Sequence, residues 1–180
     1  GGGKNFSVTP SFWGSSPIKV TKGERKGLEV FKKERALGLA LVNSLSAKQK
    51  KLAAIKSGKG PGATPSISRK AYLPKSGIPY SGLDESQQKK LKELVLVFAG
   101  KYRPELVKQI DGRKKILDTG SMSFSFVAPS GGYVPHYRIQ TKEYLIEFDN
   151  RSGGHVHSAW RDFDGDFGRD VISEHLKKDH

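Results

Sequence analysis

The sequence predicts an α+β fold in which amino-terminal helices pack on an antiparallel β-meander, with a closing carboxy-terminal helix. Two changes of pattern carry this expectation. Apolar residues recur at helical spacing between about 25 and 110, and from Met122 they alternate with polar ones at period 2. Residues 1–22 read as an extended arm and 23–180 as a single domain, with its helical part at 23–112 and its sheet part at 118–180.

The arm is punctuated by Gly, Pro and Ser but carries Phe6, Phe12 and Trp13, anchors large enough to pack on the body or on a second subunit. From about Arg25 to Ser44, Leu28, Phe31, Leu37, Leu41 and Val42 mark one helical face, with lysines opposite. Ser46 is an N-cap for a short helix over 47–55. Residues 57–82, rich in Gly, Pro and Ser, read as a loop. Asp84 caps a helix to about Tyr102 with Leu91, Leu94, Val95 and Phe98 as its buried stripe, and Pro104 opens the next at its first turn.

Met122, Phe124 and Phe126 alternate with serines, the pattern of a strand with one buried face. Strands are expected at about 134–140, 143–149 and 155–160, and aspartates near Asp166 cap a last helix to about Lys177. The segment Asp162 to Asp170 has the carboxylate density of a calcium loop but lacks its glycine and its terminal glutamate, so helix capping is the better reading.

Charge is divided unevenly. Residues 1–75 hold 16 Lys/Arg against 3 Asp/Glu, and residues 76–180 hold 16 against 15, so nearly all of the net +14 lies in front. Such a half attracts an anionic small molecule or a polyanion, though it contains no zinc-finger, helix-turn-helix or RNP-type strand. Cysteine is absent, which excludes disulfides and thiolate metal sites, and no apolar run of about 18 residues predicts a transmembrane segment.

The chemistry-bearing residues cluster late. With Thr141-Lys142 as a two-residue turn, His136 falls opposite Glu147; with a five-residue loop at 150–154, Asp149 falls opposite His155 and Glu147 opposite His157. One face then carries His136, Arg138, Gln140, Glu147, Asp149, His155 and His157, and the other carries Tyr137, Ile139, Tyr144, Ile146, Phe148 and Val156. Three imidazoles on neighbouring strands can meet one metal at about 2.0–2.1 Å, which makes His136, His155 and His157 candidate ligands of a zinc or copper ion. Glu147 and Asp149 are candidates to orient a ligand histidine or act as general base, and Arg138 and Arg161 to hold an anionic substrate. The bland alternative is that this face is the sheet's solvated side.

Pro135-His136-Tyr137-Arg138-Ile139-Gln140, Leu145 to Asn150, and His155-Val156-His157-Ser158-Ala159-Trp160-Arg161-Asp162 with Asp166-Phe167-Gly168 resemble the carboxy-terminal signature of the domain-of-unknown-function 3500 family. The helices around Gly23–Ser46 and Gly82–Tyr102 resemble its middle portion, so the likeness spans most of residues 12–177. It implies that these segments form one unit and assigns that unit no reaction.

Two functional expectations follow. The first is a mononuclear metal site doing hydrolytic or oxidative chemistry. The alternative is a non-catalytic basic module whose lysine-rich front holds a polyanion or an assembly partner, with homo-oligomerisation through the arm as a further option.

Overall fold

A computed structural model describes residues 7–55, 76–113, 115–150 and 154–168. Helices and sheet segregate along the chain as the pattern change predicts. The helices are α1 (Lys32–Ser44), α2 (Ala47–Ala53), α3 (Glu85–Ala99) and α4 (Pro104–Arg113). The strands are β1 (Ser11–Ser15), β2 (Ile78–Pro79), β3 (Ser123–Phe126), β4 (His136–Gln140), β5 (Tyr144–Asp149) and β6 (Val156–Asp162). They form one antiparallel sheet in the order β1-β6-β5-β4-β3-β2.

The amino-terminal segment enters this sheet as its edge strand. β1 pairs with β6, setting Trp13 against Ser158 and Gly14 against His157, and Trp13 packs edge-on against Tyr102 at 5.6 Å. Residues 18–30 then double back on themselves, with Val20 N bonded to Leu28 O and Val30 N to Ile18 O. That reversal delays α1 to Lys32 instead of Arg25 and leaves Leu28 on the surface. Phe31, at φ 56°, turns the chain into the helix.

Both predicted N-caps form complete capping boxes. Ser46 accepts from Gln49 N and Asp84 from Gln87 N, while each glutamine returns a bond to its cap. The two glutamines also meet, Gln49 Nε2 donating to Gln87 Oε1 at 2.8 Å, and Gln87 Nε2 donates to Ser44 O at 2.7 Å. The helix entrances are thereby tied into one network.

α1 and α3 lie on the apolar face of the sheet, where Tyr137 stacks on Phe148 at 5.0 Å and Phe98 meets Tyr137 edge-on at 6.4 Å. The approach is close because Gly38 of α1 has no side chain: a Cβ there would lie 2.7 Å from the Tyr137 ring. Lys101, just past α3, directs its ammonium to the buried Glu34 at 2.5 Å and over the Phe31 ring at 4.3 Å. That contact joins the start of α1 to the end of α3.

The carboxy-terminal expectation changes at Asp166. Asp166–Gly168 form a single 3-10 turn with Phe167 at φ 62°, and the closing helix predicted beyond it falls on residues 169–180, outside the described residues, as do Phe6, His175 and His180.

Candidate functional site

The two hairpins differ in register from the sequence expectation. Lys142-Glu143 form the first turn, because the Thr141 hydroxyl accepts from both Glu143 N and Tyr144 N. His136 therefore lies opposite Asp149, and Arg138 opposite Glu147. In the second hairpin Asp149 lies opposite His157 and Glu147 opposite Ala159. Each pairing is displaced by two residues along the partner strand, and a displacement of two returns every side chain to its original face. The polar set His136, Arg138, Gln140, Glu147, Asp149 and His157 is therefore conserved as one face, now joined by Ser123 and Ser125 of β3, Arg161 of β6 and Gly14 of β1.

That face is not the sheet's solvated side. His136, Arg138, Gln140, Glu147 and Arg161 are all buried. Burying charge requires partners, and the register supplies them. Arg138 donates to Glu147 Oε1 through Nε and Nη2, both at 2.9 Å. Arg161 Nε donates to Asp166 Oδ2 at 2.5 Å, and the other oxygen of Asp166 accepts from Asp162 N at 2.8 Å. Asp166 is thus the buried counter-ion of Arg161, not the cap of a described helix. Each guanidinium already holds a carboxylate of the protein.

His136 sits between two carboxylates, Nε2 3.8 Å from Glu147 and Nδ1 3.8 Å from Asp149. Those separations exceed hydrogen-bond distance, and among the described residues neither ring nitrogen has a hydrogen-bond partner. Burial pushes its pKa below the ordinary histidine value, outweighing the upward pull of Asp149 and Glu147. The buried imidazole is neutral at neutral pH.

His155 and His157 stand at the exposed end of the same face. His155 precedes β6, and its ring meets that of His157 at 4.5 Å between centroids with 74° between planes. Their Nε2 atoms are 2.9 Å apart. Of the three predicted metal ligands, the structure brings these two together and leaves His136 apart, on β4, with β5 between. Among the described residues no group of three His, Asp or Glu side chains is placed to hold a metal ion.

The arrangement is graded. An exposed histidine pair lies at the end of the sheet, with Asp149 next to it in register and partly exposed, then His136, then the buried Glu147–Arg138 pair. Sequence reasoning missed Asp166, whose role appears only once Arg161 is known to be buried. It also missed Gly14, which no chemical signal singles out.

Fold and site together define an α+β protein with a buried, charge-paired sheet face ending in an exposed histidine pair. The chain belongs to the DUF3500 family, whose model, described as "Protein of unknown function (DUF3500)", matches residues 2–169. The match covers most of the chain, reaching the amino-terminal arm as well as the middle and carboxy-terminal parts on which the resemblance rested. No curated protein and no solved structure matches it.

Proposed function

We propose that His155 and His157 share one divalent transition-metal ion, zinc or copper, and that this ion serves hydrolytic or oxidative chemistry at the exposed end of the polar sheet face. The observation that carries the reading is the 2.9 Å separation of the two Nε2 atoms on exposed rings. Two imidazoles binding one ion at about 2.0–2.1 Å bring their nitrogens to about 3.0–3.4 Å of each other, so the pair needs only a small opening to admit the ion. Two protein ligands leave positions for water and substrate, and a bound ion lowers the pKa of its water to about 7. Asp149, opposite His157 and partly exposed, is the carboxylate suited to accept a proton there. Glu147, further along the same face, is held by Arg138.

A hydrogen bond between two neutral rings gives the same separation, and metal analysis tells the two apart. Tag-free protein is expected to carry or take up about one equivalent of zinc or copper, and His155→Ala/His157→Ala protein to take up none. No stoichiometric metal in the wild type, or uptake unaffected by the double substitution, rejects the reading.

A second reading has its own support. Lys19, Lys22, Lys26, Lys32, Lys33, Lys48 and Lys51 are all exposed, as a surface that binds a polyanion requires. Heparin or single-stranded nucleic acid should then bind with an affinity that falls steeply between 50 and 200 mM salt, roughly as phosphate-contacting proteins do. Salt-insensitive or absent binding removes this reading.

A further inference from the structure

The histidine pair rests on a strand contributed by the amino-terminal arm. Among the described strands β1 lies at the edge of the sheet and pairs with β6, where Gly14 stands opposite His157. The His157 ring lies over the Gly14 backbone. A Cβ built on Gly14 would come within 3.1 Å of His157 Cδ2, 3.2 Å of Val156 O and 3.8 Å of His157 Nε2.

Glycine inside a strand weakens it and is found where another group must approach the backbone closely. Gly14 does not adopt a positive φ, so no turn demands it. The neighbours on the side a Cβ would occupy are the imidazole and the carbonyl oxygen of Val156. Both ring atoms that it would approach belong to the edge carrying Nε2, the atom that faces His155.

We propose that Gly14 is a positioning residue of the histidine site, keeping open the space in which the His157 imidazole lies so that its Nε2 converges with that of His155. The arm is on this account a structural component of the site. The inference rests on the proposed sharing of one ion by His155 and His157. It adds the requirement that the convergence depends on a residue more than 140 positions away in sequence. A methyl group at position 14 displaces the ring by a few tenths of an ångström, and a larger side chain displaces it further. Changing a group that orients a ligand histidine typically costs about 10–100-fold in metal affinity, and a ring pushed off its position here is expected to show a loss at the lower end of that range.

The test is zinc titration by calorimetry on the full chain, comparing wild type, Gly14→Ala, Gly14→Val, His157→Ala and Gly14→Ala/His157→Ala, with the thermal midpoint of each measured without metal. Gly14→Ala is expected to weaken zinc binding about tenfold with little change in midpoint, and Gly14→Val to weaken it more. His157→Ala is expected to abolish zinc binding with or without Gly14→Ala, and an unchanged metal-free midpoint in Gly14→Ala separates displacement of the ring from a general loosening of the fold. Equal affinity in wild type and Gly14→Ala overturns the positioning role, as does a weakening matched by a fall in the metal-free midpoint. Absence of both zinc and copper binding in the wild type overturns the underlying reading instead.

Discussion

Arg161 and Asp166 form an ion pair inside the protein, Nε to Oδ2 at 2.5 Å, with both side chains sealed from solvent. The pair fixes the last turn to the end of β6, because Asp166 also accepts from the backbone of Asp162. Removing one charge takes from the other its buried counter-ion, which costs far more than the pair contributes when intact. Asp166→Asn is expected to destabilise the fold by about 3–5 kcal/mol in urea denaturation. A loss under about 1 kcal/mol would show that the guanidinium finds water in the folded state.

Neutral His136 makes stability depend on pH in a defined direction. Its folded pKa lies below the unfolded value, so the unfolded chain takes up a proton first as the pH falls. The stabilisation is present above about pH 6.5 and is lost as the pH drops through the folded pKa. Denaturation midpoints between pH 5 and 8 should therefore decline toward acid more steeply in the wild type than in His136→Gln. Parallel curves would mean that His136 does not titrate differently in the two states.

Three tyrosines set the alkaline limit. Burial pushes Tyr102 up to about 12 and holds Tyr137 and Tyr144 above the ordinary tyrosine value as well. A raised pKa means that the unfolded chain ionises first, so stability is full below about pH 10 and falls as the pH rises above it. The phenolate absorbance of these three should appear only as circular dichroism reports unfolding. Complete ionisation by pH 10.5 with the fold intact would contradict the burial.

Gly38 allows α1 to approach the sheet. Alanine favours a helix over glycine by about 1 kcal/mol, yet here its Cβ would lie 2.7 Å from the Tyr137 ring. Overpacking costs about 1–3 kcal/mol, so Gly38→Ala should be net destabilising by about 1 kcal/mol in spite of the helix gain. A stabilised variant would show that Tyr137 has room to move.

The division of the sheet into two faces was legible because alternation at period 2 survives a register error of two residues, as at His136, which pairs with Asp149 where Glu147 was expected. The turn at Lys142-Glu143 depends on the Thr141 hydroxyl, a choice that alternation does not encode. Both capping boxes were written locally in Ser46–Gln49 and Asp84–Gln87, whereas the bond between the two glutamines is tertiary and has no local signal. β1 escaped notice since five residues that include a glycine and lie between two prolines do not read as a strand. Alternation also cannot say whether a polar face meets solvent, and the burial of Arg138, Glu147 and Arg161 followed from neither composition nor spacing.

The central claim is that His155 and His157 act as one ligand unit. It is tested most directly by zinc titration of tag-free wild type, His155→Ala, His157→Ala and the double variant. A shared ion predicts a single saturable site in the wild type, lost to the same extent in either single variant as in the double. Binding that survives one of the single substitutions, or a wild type that binds no zinc or copper, would contradict it.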